Sequence, residues 1–157
     1  MTESDADTGA NGDDDEGEQP PVEAPDRGEL ATLPSLILVN TGHGKGKSTA
    51  AFGTILRAVA LDWPVAVVQF LKSGDWRVGE EKICRQLGVD WFAAGDGFTW
   101  NSDDLDETRA KAQAAWTMAR ELLDAGDHRL LVLDEISYAM IWDWIDAGEV
   151  AEALSAR

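Results

Sequence analysis

The sequence predicts an α/β domain, a mainly parallel sheet covered by helices on both faces. Three observations predict it. From Ser35 onward, short apolar runs of strand length alternate with segments of helical periodicity. The first run passes through a glycine-rich turn straight into the first helix. The last, Leu130-Leu131-Val132-Leu133, ends on the acidic pair Asp134-Glu135.

Taken in order, Leu36-Ile37-Leu38-Val39 is a continuous apolar run, which predicts a strand buried on both faces. After the glycine-rich turn, Phe52, Ile55, Leu56 and Val59 recur at i, i+3, i+4 and i+7 and predict a helix. Pro64 closes it, and Val65 to Phe70 reads as a second buried strand. Gly79 to Leu87 reads as a short helix ending near Gly88, and Val89 to Ala93 as a third strand. Ser102 or Asp103 is the expected N-cap of a long helix. Its apolar face carries Ala112, Trp116, Ala119 and Leu123, and Gly126 is a natural stop. Leu130 to Leu133 is the fourth strand, and the remainder reads as helical. No internal repeat is evident.

Residues 1–34 have a different texture. They hold 11 acidic side chains against the single Arg27 and have little to bury, so a disordered acidic tail is expected, with residues 35–157 as the domain. The whole chain of 157 residues has a formal net charge of −17, which disfavours binding to nucleic acid. No apolar run approaches the roughly 20 residues of a membrane helix, and the acidic start is unlike a secretory signal. The lone Cys84 excludes an internal disulfide and fits a reducing cytoplasm. Lysine is scarce and aspartate abundant, which suits a salt-rich, halophilic setting.

The chemistry concentrates in Thr41-Gly42-His43-Gly44-Lys45-Gly46-Lys47-Ser48-Thr49, between the first strand and the first helix. Glycines let successive backbone N–H groups turn inward around a polyphosphate, and the helix N-terminus adds a positive dipole end. Lys47 supplies an ammonium, and the Ser48 hydroxyl can ligate Mg²⁺. A tight strand-to-helix turn alone would not call for two lysines. The commonest phosphate-loop pattern places glycine where Thr41 stands; here it falls at Gly42. Asp134, at the end of an apolar strand, is the candidate for the Mg²⁺ shell. Glu135 beside it reads, on unaided chemistry, as a water-activating base for ATP hydrolysis. Two acids opening a helix would also suit the helix dipole.

Other residues weigh less. His43 can donate to a phosphate or simply tolerate the turn, and His128 reads as a helix-end or loop residue. Neither has a Cys or His partner at zinc spacing. Cys84 reads as a small core residue, and Trp63, Trp91, Trp116, Trp142 and Trp144 as packing.

Four segments together resemble a known family. They are Thr41 to Gly53, Val67 to Lys72, Gly95-Asp96-Gly97-Phe98-Thr99-Trp100 and Leu133 to Tyr138. In this order they are similar to the P-loop type of ATP:corrinoid (cob(I)alamin or cob(I)yrinic acid a,c-diamide) adenosyltransferase, and the likeness covers about residues 36–150. Glycine at position 42 also matches that family. The resemblance implies a P-loop NTPase fold of RecA-like type. It implies that Co(I) of a reduced corrinoid attacks the 5′-carbon of ATP and expels triphosphate. Thr41 to Thr49 would hold the triphosphate, with Lys45, Lys47, Ser48 and Thr49 on its oxygens. Asp134 and Glu135 would complete the Mg²⁺ or Mn²⁺ and ATP shell. Phe98 and Trp100 would pack on the corrin's lower face and displace its axial ligand; by composition alone they read as core aromatics. Trp76 and Glu80 match positions near that family's active site. An electron donor for cobalt and a homodimer are further implications.

Chains of that family continue with a further strand and a Thr-Gly-Arg-Gly-like turn, so the resemblance implies a domain incomplete at its C-terminus. The strand after the acid-bearing one would lie between it and the phosphate-loop strand, and its absence would leave backbone unpaired and apolar faces exposed. Two other readings stand beside this one: a generic P-loop ATPase or kinase, and a non-catalytic nucleotide- or corrinoid-binding remnant.

Overall fold

The computed structural model describes residues 33–71, 79–93 and 105–157. The described elements are α1 (Lys47–Val59), β1 (Val65–Gln69), α2 (Gly79–Gln86), β2 (Asp90–Ala93), α3 (Leu105–Ala125), β3 (Leu130–Asp134), α4 (Ile136–Ile141) and α5 (Ala147–Ser155). All of them lie in the compact unit Ser35–Arg157. The strands form one parallel sheet in the order β2-β1-β3. The α/β class and the helical cover on both faces follow the sequence reading.

The pleat sorts the core into two layers, because alternate residues of a strand face opposite ways. Val65 and Val67 of β1 join Ile55 and Ala58 of α1, Cys84 of α2 and Trp91 of β2 on one face. Phe52 stacks on Trp91 there, with ring centroids 5.9 Å apart. Val68, followed by Phe70, packs on the other face against Ala112, Ala115, Trp116 and Ala119 of α3, with Ala139 of α4 and Val150 of α5. The small residues of α3 let it approach the sheet closely. All five residues of β1 are buried, as a central parallel strand requires.

Most element boundaries fall where expected. Gly88 and Gly126, with φ of 81° and 68°, end α2 and α3 in the left-handed conformation that glycine tolerates. The expected cap residues Ser102 and Asp103 lie outside the described residues.

One expectation fails. Leu36–Val39 forms no strand, and its side chains are 50–76 % exposed instead of buried. Apolarity reports that a segment would gain from burial; a strand also needs a neighbour for its N–H and C=O groups. Among the described residues, nothing pairs with Leu36–Val39, and β3 pairs only with β1. Leu56, expected on the buried face of α1, is also half exposed. Its helix turns Ile55 and Ala58 fully inward instead.

Candidate nucleotide-binding site

The loop at residues 41–46 leads into α1 at Lys47. Gly46 caps the helix with φ 110°, and Gly42 has φ 120°. No heavy atom lies within 4 Å of where a Cβ would stand at either position. Glycine is therefore required by backbone conformation and not by crowding. Thr41, Gly42, His43, Gly44, Lys45 and Gly46 are exposed, as is Thr49 in the first turn of α1.

Lys47 folds back over this loop. Its ammonium donates to the carbonyl oxygens of Gly42 at 3.0 Å and Gly44 at 2.7 Å, so the charge sits within the loop's own curve. Ser48 points the other way, toward the sheet. Its Oγ–H is directed at Asp134 Oδ1 at 3.4 Å, across 86 residues of sequence. Asp134 is the last residue of β3, and its backbone carbonyl accepts from Phe70 N–H at 3.0 Å. The C-terminal edge of a parallel sheet is where loops and helix N-termini converge, and here it brings Lys47, Ser48 and Asp134 together.

Glu135 follows directly, as the N-cap of α4, with φ 63°. A left-handed glutamate is an uncommon conformation, costing about 1–3 kcal/mol. Burial pushes its carboxyl above the usual glutamate range, the Asp134 charge adds to that, and Lys47 partly offsets it.

The donor set suits a hard cation. The described residues hold no group of three or more His, Cys, Asp or Glu side chains able to bind a metal by themselves. Mg²⁺ in nucleotide sites needs fewer, because phosphates and water complete its shell. Adjacent oxygens on an octahedral Mg²⁺ stand about 3 Å apart, close to the 3.4 Å between Ser48 Oγ and Asp134 Oδ1.

A further residue stands here that the sequence reading placed in the second strand and in the resembling segment Val67 to Lys72 without giving it a role. Gln69, the last residue of β1, donates from Nε2 to Asp134 Oδ2 at 3.1 Å and is buried. The signal was available: one amide at the end of an otherwise aliphatic strand. Phe98, Trp100, Lys72 and Trp76 lie outside the described residues.

Residues 34–157 match the family described as ATP:corrinoid adenosyltransferase BtuR/CobO/CobP. A corrinoid adenosyltransferase of Sinorhizobium sp is 43% identical over 122 residues, covering 76% of this chain and 56% of the relative. The corrinoid adenosyltransferase of Escherichia coli (strain K12) is 38% identical over 122 residues, covering 78% and 62%. Corrinoid adenosyltransferase CobA of Salmonella typhimurium is 40% identical over 122 residues, with the same coverage of 78% and 62%. The chain thus spans 56% to 62% of the length of these relatives.

Proposed function

Because the chain belongs to the ATP:corrinoid adenosyltransferase BtuR/CobO/CobP family, we propose that it transfers the 5′-deoxyadenosyl group of ATP to the cobalt of a reduced corrinoid, as a step in adenosylcobalamin biosynthesis or salvage. The cobalt lone pair forms the Co–C5′ bond while the C5′–O bond breaks, and its electron pair leaves with triphosphate. No proton is taken from the nucleophile, so no general base is needed. What the protein must do is hold the leaving group and spread its growing negative charge.

The family match carries the choice of reaction, and the observation that carries its ATP site is the convergence of Lys47, Ser48 and Asp134 at one end of the sheet. In a P-loop fold the N–H groups of residues 42–48 surround the triphosphate, and Lys47 exchanges two neutral carbonyl acceptors for charged phosphate oxygens. Ser48 and Asp134, with Glu135 near, would hold Mg²⁺ or Mn²⁺, which when bound neutralises charge on the departing triphosphate. Thr41, His43, Lys45 and Thr49 frame the same loop. Phe98 and Trp100 take the corrin face on the strength of the resemblance: flat apolar rings exclude water and offer cobalt no axial donor. The reaction also calls for an electron donor to the cobalt, and the family resemblance adds a homodimer. The composition suits a cytoplasmic, salt-rich setting.

A second reading, ATP hydrolysis, is favoured by Glu135, whose raised proton affinity suits a base acting on water. The two readings part at Phe98 and Trp100, and Lys47 tests the ATP site that both require. Phe98→Ala and Trp100→Ala are expected to leave ATP affinity within about twofold and to abolish adenosyl transfer, whereas Lys47→Ala abolishes ATP binding. Equilibrium ATP binding together with transfer assays checks this. Normal transfer by both aromatic variants would contradict the corrin-face role, and retained ATP binding by Lys47→Ala would contradict the phosphate loop.

A further inference from the structure

Gln69 stands out as a polar side chain where the fold asks for none. It ends a central strand whose other members are valine and alanine, and it is only 5 % exposed. Register explains its reach. Gln69 pairs with Asp134 on β3 and with Ala93 on β2, so all three side chains share one face. That face is the one covered by α1, whose Ser48 also points at Asp134.

The carboxylate decides which way the amide turns. Asp134 offers only acceptors, so Gln69 must present its NH₂ to it, as the 3.1 Å contact from Nε2 to Oδ2 has it. The carbonyl oxygen then faces away, and among the described residues it has no hydrogen-bond partner although it is fully buried. Ala93 on the β2 side has no side-chain donor. Two donors at the start of α1 are directed elsewhere, Lys47 to the Gly42 and Gly44 carbonyls and Ser48 to Asp134. A buried acceptor without a donor is costly, and a methionine of the same length would fill the space without that cost. The amide is explained if its oxygen has a partner in the bound state.

We propose that Gln69 is a positioning residue of the nucleotide site: its N–H holds the Asp134 carboxylate, and its carbonyl oxygen accepts a hydrogen bond from water carried by the divalent cation that accompanies ATP. The inference rests on the nucleotide-site reading above. It assigns Gln69 to the cation and not to the triphosphate, whose anionic oxygens offer this carbonyl nothing. Metal-held water is a strong donor, and such outer partners commonly change metal affinity by about 10–100-fold when removed.

The test is calorimetric binding of ATP with and without Mn²⁺ to the wild-type chain and to Gln69→Met. Metal-free ATP affinity is expected to stay within about twofold, while the gain in affinity on adding Mn²⁺ falls about tenfold. A purely structural role would lower the melting temperature and leave that gain unchanged, which would overturn the proposal. A second measurement needs no variant. In the wild-type chain saturated with ATP, the Gln69 side-chain amide resonances should shift on adding Mg²⁺; no shift would overturn the proposal even if Gln69→Met fails to fold. Failure of the wild-type chain to bind ATP at all would overturn the nucleotide reading and this inference together. A normal Mn²⁺ gain in both proteins would overturn the inference alone.

Discussion

Single side chains carry the chemistry of this chain, and Glu135 is the one whose environment speaks most directly. Its carboxyl titrates above the ordinary glutamate range because burial and the neighbouring Asp134 both disfavour the charge. The folded state therefore binds this proton more tightly than the unfolded state. Its contribution to stability is complete below the unfolded pKa, near 4.3, and is lost as pH rises through the higher folded value. Glu135→Gln keeps the same left-handed backbone and removes only the titration. It should melt higher than wild type at pH 7.5, with the difference closing as pH approaches 4, measured as paired thermal midpoints across pH. A difference independent of pH would contradict the assignment. The glycine-rich loop at residues 41–46 and Asp134 stood out as candidates in the sequence because glycines, lysines and a strand-end acid have few other reasons to share that order. Gln69 drew no role of its own, although an amide ends an otherwise aliphatic strand, because register is what sets it beside Asp134.

At the scale of elements, helical spacing located α1 and α3, glycine bounds located α2, and apolar runs located the three strands. The same apolar-run reading misjudged Leu36–Val39, because apolarity is local, whereas a ladder partner is not. A different kind of contact secures α5. Asp146 caps it, accepting from Glu149 N–H at 2.8 Å. Glu149 in turn accepts from Trp116 Nε1 at 3.0 Å and from Arg120 at 2.7 Å, both on α3. The cap thus orients the carboxylate that ties α5 to α3. Asp146→Ala should cost about 0.5–2 kcal/mol, read as a lower midpoint in urea with an unchanged slope. No loss would mean that the α3–α5 packing holds the helix without its cap. The exposed ion pair of Arg120 with Glu149 adds little by itself.

Across the whole molecule, the formal charge of −17 sets how the fold responds to salt. Self-repulsion among carboxylates weakens as the Debye length shrinks from about 10 Å at 0.1 M to about 3 Å at 1 M. The thermal midpoint should rise between these potassium chloride concentrations, and a constant or falling midpoint would contradict a charge-limited fold. The described fold contains no helix long and apolar enough to cross a membrane. At this scale the structure adds that segments far apart in sequence meet in space, as Ser48 and Asp134 do. The proposed reaction comes from the family resemblance: the geometry of the candidate site alone would serve hydrolysis as well as adenosyl transfer.

The central claim is therefore tested most directly by the products. The purified chain would be incubated in high potassium chloride with ATP, Mg²⁺ and chemically reduced cobalamin, and the nucleotide and corrinoid products separated by chromatography. Triphosphate appearing in step with a light-sensitive adenosylcorrinoid is the predicted result. ADP and phosphate without an adenosylcorrinoid would contradict it.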